Sequence, residues 1–270
     1  MRYSNVALFT DLDGTLFNSQ REVSAENKKA IKRFIEEGGS FGISTGRAPQ
    51  NAKLMLPGLD INSWSVVLNG AEAYHFPCKK SAAQRYLPKD QMEMLIRWVL
   101  QELPEVNIQL CTDDQLLFLS RPEFADWDFV SSHQPMSEIG VDEALCYPWL
   151  KVLFCAPRSV LVRLHSYAEE NGMTTVMDSV YTNEVYLEFL PLHTNKGSCL
   201  KELRSQPDML GKTFIAIGDY TNDIELLQEA DIAVAVENAL AEVKSIADYI
   251  VCTNDDHALA YLIDVLIPEI

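Results

Sequence analysis

The sequence predicts an α/β protein with a Rossmann-like parallel-sheet core and an inserted α+β domain. Two observations favour this class. At both ends of the 270-residue chain, short apolar strand patterns alternate with amphipathic helix patterns, as they do in parallel sheets with helices on both faces. In the middle, a long helical pattern and a hairpin pattern replace this alternation. We place the core at residues 1–82 and 191–270 and the insert at residues 83–190.

The first half of the predicted core holds a helix and three strands of the parallel sheet. Residues 6–10 are an apolar run typical of a buried strand. Ser24 is a candidate N-cap for a helix that ends at Gly38-Gly39. Residues 40–44 and 65–68 are the next two predicted strands. Each strand pattern ends in polar or glycine residues, which indicates functional loops at one edge of the sheet.

The remaining elements are predicted from the same periodicities. The second half of the core has strands at 213–217, 232–236 and 249–252, a helix starting near 222, a helix through 243 and 246, and a closing helix. The insert has a helix at 92–100, a hairpin of 108–112 with 116–120, a strand at 150–156, a helix at 160–172, and strands at 174–177 and 185–189. In the last strand, Glu184, Tyr186 and Glu188 share one face, which is either solvated or in contact with a ligand.

The composition describes an ordinary globular protein with 47% apolar and 23% charged residues. The net charge of -17 disfavours nonspecific binding to nucleic acid or to an anionic membrane. We find no signal-peptide pattern and no apolar run of membrane-spanning length. The six cysteines are scattered, which predicts reduced thiols. We expect a cytoplasmic protein whose partner is a small molecule, and the sequence does not indicate an oligomeric state.

Polar side chains follow the predicted core strands. Asp11 and Asp13 come directly after the first strand, Thr45 and Asn69 follow the next two, and Asp219 follows a strand near the other end. The carboxyl ends of parallel strands meet at one edge of a sheet, where ligands bind. Packed carboxylates repel one another and lose hydration, so the pattern requires an explanation.

A cation and an anionic substrate together supply that explanation. Asp11, Asp219 and Asp223 would be too negative to stand alone, and a hard cation such as Mg²⁺ takes oxygen ligands of this kind. Lys196 and the hydroxyl of Thr45 can hold the oxygens of an anion. A carboxylate can attack phosphorus, and a second one can transfer the proton. These parts suit phosphoryl transfer.

Four motifs resemble those of the haloacid dehalogenase superfamily in order and spacing. Asp11-Leu12-Asp13-Gly14-Thr15-Leu16 resembles the first motif and Thr45-Gly46-Arg47 the second. Lys196-Gly197 resembles the third, and the stretch from Gly218 to Asp223 the fourth. The resemblance covers essentially the whole chain. It implies a core of this superfamily.

Further features are similar to the Cof-like sugar-phosphate phosphatases, a subgroup with a C2-type cap domain. They are Ser44 before the second motif, Asn69-Gly70-Ala71, the Asn238-Ala239 step and the large insert. One stretch departs from the family, which often has Asp-Gly where this chain has Asn254-Asp255-Asp256-His257. We expect the loss of that glycine to change a turn.

The resemblance implies a role for each site residue. Asp11 would be the nucleophile and Asp13 the general acid and base. Phosphate and substrate would be bound by Thr45, Gly46, Arg47, Lys196 and Asn222. Mg²⁺ would be held by Asp11, Asp13 (through its backbone carbonyl), Asp219 and Asp223. Arg47 and Asn69 would line the entrance, and Ser44 is an alternative hydroxyl to Thr45.

The sequence therefore predicts a Mg²⁺-dependent phosphatase that hydrolyses small phosphomonoesters, sugar phosphates or related metabolites, through an aspartyl-phosphate intermediate. Two alternatives stay open. A phosphomutase would use the same core and return the phosphoryl group to a sugar. A metabolite-binding regulatory protein would bind the ligand with weak catalysis. A dehalogenase is disfavoured, because attack on carbon needs neither Asp13 nor a metal.

Overall fold

The computed structural model describes residues 1–113, 115–119 and 137–270. These residues form two compact units, a parallel-sheet unit of Met1–Ala83 with Asn195–Ile270 and an inserted unit of Gln84–Thr194. The predicted fold class is confirmed, because one unit contains a parallel sheet with helices and the other a mainly antiparallel sheet with helices.

The elements are numbered along the chain. The strands are β1 (Val6–Thr10), β2 (Ser40–Ile43), β3 (Trp64–Val67), β4 (Glu72–His75), β5 (Lys80–Gln84), β6 (Asn107–Cys111), β7 (Leu116–Phe118), β8 (Ser137–Glu138), β9 (Lys151–Cys155), β10 (Met177–Asn183), β11 (Tyr186–Pro191), β12 (Thr213–Gly218), β13 (Ile232–Val236) and β14 (Tyr249–Val251). The helices are α1 (Ala25–Glu36), α2 (Pro49–Met55), α3 (Lys89–Glu102), α4 (Val141–Ala144), α5 (Arg158–Glu170), α6 (Lys196–Leu203), α7 (Ile224–Glu229), α8 (Ala241–Ile246) and α9 (Ala258–Tyr261).

The parallel sheet of the first unit has five strands in the order β14-β13-β12-β1-β2. From β1 the chain passes through α1 to β2 on one side, whereas β12, β13 and β14 extend the sheet on the other side. The direction of strand addition therefore reverses between β1 and β12. Ligands bind beyond the carboxyl ends of the strands at such a reversal. Asp11 and Asp219 directly follow these two strands.

Helix α1 begins where the sequence predicts it. The Ser24 side chain accepts a hydrogen bond from the Asn27 backbone amide at 3.2 Å, and this satisfies one of the free amides of the first turn. Ala30, Ile31 and Phe34 recur at helical spacing and are fully buried in the core of the unit. The predicted apolar face is thus the face that packs on the sheet.

The structure corrects the prediction that residues 65–68 form a strand of the parallel core sheet. Strand β3 pairs antiparallel with β4 in a separate three-stranded sheet, β3-β4-β5. Just beyond the end of β2, Ser44 forms an isolated parallel bridge with Val66 of β3. Strands β4 and β5 were not predicted. Their residues lack the alternation of apolar and polar side chains that is typical of a half-buried strand, and β5 is largely exposed.

A turn of left-handed residues follows β3. Leu68, Asn69 and Gly70 all have positive φ, at 52°, 52° and 98°. A Cβ on Gly70 would lie 2.1 Å from the backbone oxygen of Asn195, just ahead of α6. Only glycine allows this approach, since it lacks the side chain that would collide. The turn is therefore held against the start of α6.

The inserted unit contains a six-stranded sheet in the order β10-β11-β9-β6-β7-β8, antiparallel except for β7 with β8. One face packs on α3 and α5 through residues such as Leu95, Leu164 and Phe154. On the other face, a carboxylate oxygen of Glu188 lies 3.0 Å from the Lys151 ammonium in a salt bridge. Glu188 is only 3% exposed. A solvated position is therefore wrong for Glu188, because its charge is buried with a partner.

One further prediction is revised in these units. Met173–Thr175 is a short 3-10 turn, and the strand expected at 174–177 begins only at Met177. In the stretch that departs from the family pattern, His257 takes the left-handed backbone, φ 65°, that glycine favours. The predicted hairpin is present as β6 and β7, but its residues Asp114 and Ser120 lie outside the described residues.

Within the described ranges, every helix is too short or too polar to cross a lipid bilayer.

Replacing Gly70 by alanine should destabilise the parallel-sheet unit by about 3 kcal/mol or more, because left-handed strain adds to a clash with backbone. Gly58→Ala is the matched control. Gly58 also has a positive φ, 74°, but nothing lies within 4 Å of the position of its Cβ. We expect this control to cost about 1–2 kcal/mol. Thermal unfolding of the two variants checks the difference, and equal melting temperatures would contradict the close approach.

Candidate active site

The first carboxylate of the site follows the buried strand β1. The Asp11 backbone amide donates to the Ile217 carbonyl at 3.0 Å, which extends the pairing of β1 with β12 by one residue. The Asp11 side chain is buried. The Asp13 side chain is 51% exposed. Two aspartates separated by one residue thus lie in very different surroundings.

Lys196 is the first residue of α6. The Asn195 side chain accepts a hydrogen bond from the Ser198 amide at 2.7 Å, and the Asn195 amide donates to the Ser198 hydroxyl at 3.1 Å. This reciprocal cap fixes where the helix begins. It also fixes the position from which the long lysine side chain extends into the protein, where it is fully buried.

The ammonium of Lys196 bridges two buried carboxylates. Its Nζ lies 2.7 Å from Asp11 Oδ1 and 2.6 Å from Asp223 Oδ1. Burial opposes the charge on Lys196, but the two carboxylates outweigh it and raise the pKa of Lys196 above its ordinary value. Burial raises the pKa of Asp11 well above its ordinary value; Lys196 opposes this, and Asp223 and Asp219 add to it. The bridge is therefore the main source of positive charge that offsets the buried acids.

The loop after β12 holds the other two aspartates. Asp223 Oδ2 accepts hydrogen bonds from the backbone amides of Asp219, at 3.0 Å, and Tyr220, at 3.2 Å. Asp219 Oδ1 accepts a hydrogen bond from the Thr15 hydroxyl at 2.6 Å. Burial and the charge of Asp223 raise the pKa of Asp219 to about 7, although the Thr15 bond lowers it. In these contacts, the partner of the Asp219 carboxyl is a hydroxyl group, and no basic side chain is bonded to it.

The three buried or half-buried aspartates fit a cation. Asp11, Asp219 and Asp223 each offer an oxygen, and these oxygens lie within 4.8 Å of one another. Hard cations such as Mg²⁺ take oxygen ligands of this type. Burial and the charge of Asp223 raise the pKa of Asp219, and a bound cation would oppose both effects. The Asp13 carboxylate does not belong to this cluster, and its predicted part in metal binding concerns the backbone carbonyl.

The second motif and the left-handed turn are joined by hydrogen bonds. The Thr45 carbonyl accepts from the Asn69 amide at 3.1 Å, and the buried Thr45 hydroxyl accepts from the Arg47 amide at 3.2 Å. Asn222 donates from its side chain to Asn69 Oδ1 at 3.1 Å. A Cβ on Gly46 would lie 2.9 Å from the Asn69 amide nitrogen. The structure thus brings the predicted substrate-binding loops together through Asn69.

Arg47 joins this network to the exposed aspartate. Its Nε lies 2.9 Å from Asp13 Oδ2 and its Nη2 lies 2.7 Å from Asp13 Oδ1. Its Nη1 donates to Asn51 Oδ1 on α2 at 3.1 Å. The guanidinium thus contacts both oxygens of Asp13. The sequence did not indicate this contact, because the two residues lie on separate loops.

Three other residues at the site were not predicted from the sequence. Thr15 was noted only as part of a motif, Asn51 carried no pattern, and Asn238 was noted only as part of an Asn-Ala step. Asn238 donates to the Gly14 carbonyl at 2.8 Å and accepts from the Asn254 amide at 2.9 Å. Within the described part of the chain, the buried Ser44 hydroxyl has no hydrogen-bond partner. The choice between Ser44 and Thr45 as phosphate ligand stays a prediction.

The arrangement supplies a buried carboxylate held by an ammonium, a candidate cation cluster and a second carboxylate in contact with solvent. A buried, fixed carboxylate can act as a nucleophile. A nearby exposed carboxylate can exchange protons with water and with a departing group. These are chemical capacities of the geometry and do not by themselves identify a substrate.

A family model described as haloacid dehalogenase-like hydrolase matches residues 8–263 of the chain. The chain is 25% identical over 280 residues to the 5-amino-6-(5-phospho-D-ribitylamino)uracil phosphatase YwtE of Bacillus subtilis, covering 95% of this chain and 96% of that protein. It is 27% identical over 251 residues to YcsE of the same organism, which has the same enzyme name, covering 93% of this chain and 91% of that protein.

A solved structure, a haloacid dehalogenase-like hydrolase from Bacteroides thetaiotaomicron, superposes with a TM-score of 0.84. The sequence identity is 23%, and the match covers 97% of this chain and 99% of that one. This likeness shows the fold.

Replacing Lys196 by methionine should lower the free energy of unfolding by about 3–5 kcal/mol, because two buried carboxylates lose their shared counter-charge. Lys244→Met is the control, since Lys244 pairs with Glu237 at a surface where the glutamate side chain is 60% exposed. That change should cost about 0–1 kcal/mol. Chemical denaturation compares the two, and a Lys196 variant as stable as wild type would refute the buried bridge.

Proposed function

Because the chain belongs to the haloacid dehalogenase-like hydrolase family, we propose that it is a Mg²⁺-dependent phosphatase acting on small phosphomonoesters through an aspartyl phosphate on Asp11. One observation carries the proposal: the fully buried ammonium of Lys196 bridges Asp11 and Asp223 at the carboxyl edge of the parallel sheet. This arrangement keeps one oxygen of Asp11 held by the lysine while the other oxygen takes no part in that bridge.

The first chemical step is attack by Asp11. A carboxylate oxygen of Asp11 forms a bond to phosphorus while the bond from phosphorus to the ester oxygen breaks. Asp13 gives its proton to the departing ester oxygen, so the alcohol leaves neutral. In the second step, water attacks phosphorus, Asp13 takes a proton from that water, and the bond from phosphorus to Asp11 breaks. Inorganic phosphate leaves, and both aspartates return to their starting states.

Other residues of the site would bind and orient the phosphoryl group. The Thr45 hydroxyl, the Gly46 region, the Asn222 amide and the Lys196 ammonium are the candidate donors to its oxygens. Asp11, Asp219, Asp223 and the backbone carbonyl of Asp13 would hold Mg²⁺. When bound, the cation neutralises the acids and the developing negative charge of the phosphoryl group. The chain's own contribution is the fixed position of these donors relative to Asp11.

The predicted division of the chain assigns catalysis to residues 1–82 and 191–270 and choice of the leaving group to residues 83–190, as a C2-type cap would do. Both Bacillus relatives are named as phosphatases of a phosphorylated ribityl compound. These names support a small phosphorylated metabolite as the substrate class, and sugar phosphates are the members we favour.

Replacing Asp11 by asparagine should abolish hydrolysis of p-nitrophenyl phosphate in the presence of Mg²⁺, with kcat lower by a factor of about 10³ or more, because the amide is a very poor nucleophile. Asp264→Asn is the matched control, since Asp264 lies on the surface in a pair with Arg33. Released phosphate is the readout, and full activity of the Asp11 variant would rule out the nucleophile assignment.

Mg²⁺ should raise the melting temperature more at pH 8 than at pH 5.5. The pKa of Asp219, about 7, lies above the ordinary value of 3.8. In the metal-free protein, this group therefore contributes stability at low pH that is lost as the pH rises from about 4 to 7. A bound cation restores stability where Asp219 is ionised, and protons compete with it at lower pH.

Differential scanning fluorimetry with Mg²⁺ or EDTA at matched ionic strength measures this effect. Asp219→Asn should remove most of the Mg²⁺-dependent shift, whereas Asp264→Asn should retain it. A shift of the same size at both pH values, or one that persists in the Asp219 variant, would contradict the assigned cation site.

A further inference from the structure

The contact between Arg47 and Asp13 is more strongly built than a surface ion pair. Two guanidinium nitrogens of Arg47 donate to the two oxygens of Asp13, at 2.9 and 2.7 Å. The Arg47 side chain is only 15% exposed, whereas the Asp13 side chain is 51% exposed. A paired fork of this kind fixes the orientation of a carboxylate, which a single hydrogen bond does not.

Arg47 is held both through its guanidinium and through its backbone. Its Nη1 donates to Asn51 Oδ1, and Asn51 is buried on α2. The Arg47 backbone amide donates to the Thr45 hydroxyl. The fork is therefore anchored to a helix and to the second motif, and the exposed aspartate is the member of the pair that would otherwise be free to rotate.

We propose that Arg47 is a positioning residue that aims the Asp13 carboxyl at the leaving oxygen, and that it is not chiefly a substrate ligand. This inference rests on the proposed function, in which Asp13 transfers the proton. It revises the role implied by the family resemblance, which placed Arg47 among the substrate-binding residues at the entrance.

The chemistry of arginine supports a geometric role. A guanidinium does not give up its proton under ordinary conditions, so Arg47 is not itself the acid. When Asp13 carries the proton, one oxygen holds it towards the ester oxygen, and the other oxygen can still accept from the fork. As the bond from phosphorus to the ester oxygen breaks, the proton moves from Asp13 to that oxygen, and the carboxylate returns to a paired contact with Arg47.

The role predicts a specific dependence on the leaving group. A p-nitrophenolate departs readily without a proton, whereas an alkoxide needs one as it leaves. Loss of an aimed general acid should therefore slow alkyl phosphates much more than aryl phosphates. Loss of a phosphate ligand should instead slow both classes alike, because the phosphoryl group is common to them.

The experiment compares wild type, Arg47→Met, Arg47→Lys, Asp13→Asn and the double variant Asp13→Asn with Arg47→Met. The substrates are p-nitrophenyl phosphate and the alkyl phosphomonoester that wild type hydrolyses fastest in a panel of sugar and polyol phosphates. For Arg47→Met, we expect kcat to fall about 100-fold for the alkyl substrate and less than about 5-fold for the aryl one, with KM little changed. Arg47→Lys should recover part of the loss.

The double variant separates positioning from binding. If Arg47 acts through Asp13, Arg47→Met should reduce kcat by less than about 2-fold in the Asp13→Asn background, because the coupled residue is already disabled. Arg33→Met is the matched control, since it breaks another arginine–aspartate pair on the surface and should leave both activities unchanged. If Arg47→Met fails to fold, Arg47→Lys still tests the role, because its smaller loss should fall on the alkyl substrate more than on the aryl one.

The outcomes are distinct. Equal losses for both substrates, a rise in KM, or a full effect of Arg47→Met in the Asp13→Asn background would overturn the positioning role and leave the phosphatase assignment intact. A wild-type protein that hydrolyses neither p-nitrophenyl phosphate nor any member of the panel with Mg²⁺ would overturn the proposed function and the role of Arg47 with it.

Discussion

The buried ammonium of Lys196 is the interaction on which the rest of the site depends. It lies within 2.7 Å of carboxylates from two different loops, one after β1 and one after β12. Without this charge, the two loops would bring like charges together in a region from which water is excluded. The sheet places the carboxylates side by side, and the lysine makes that placement stable. Among the described contacts, Asp219 has no basic side chain bonded to it, and the oxygens of Asp11, Asp219 and Asp223 lie close enough together to hold a cation.

The position of Lys196 depends on the backbone at the start of α6 as well as on its two ion pairs. The cap at Asn195 sets the start of α6, and the glycine at position 70 lets the left-handed turn lie against that cap. The same turn presents Asn69 to Asn222 and to the second motif. One short turn thus contacts three loops that lie around Asp11. Strain in that turn is offset by the bonds that it permits.

The parts that could be predicted from the sequence are those encoded locally. The apolar run of β1, the Ser24 cap of α1 and the four ordered motifs each lie within a few residues, and they indicated the fold class and which acids to examine. What could not be predicted was set by contacts between distant segments. The bond from Thr15 to Asp219 and the fork from Arg47 to Asp13 join separate loops. Likewise, β3 has a strand pattern, but its partner β4 is decided by the turn at 68–70.

The inserted unit separates the two chain segments that form the parallel sheet, and this has a consequence for synthesis on the ribosome. Lys196 follows Asp11 by 185 positions, and Thr15 precedes Asp219 by 204. Strand β1 lies between β12 and β2 in the finished sheet, yet β12 is made only after the whole inserted unit. Until then, one side of β1 is an open apolar edge, of the kind that pairs with other chains. The inserted unit is one continuous segment, Gln84–Thr194, so all its strands are made before the partner of β1 on that side.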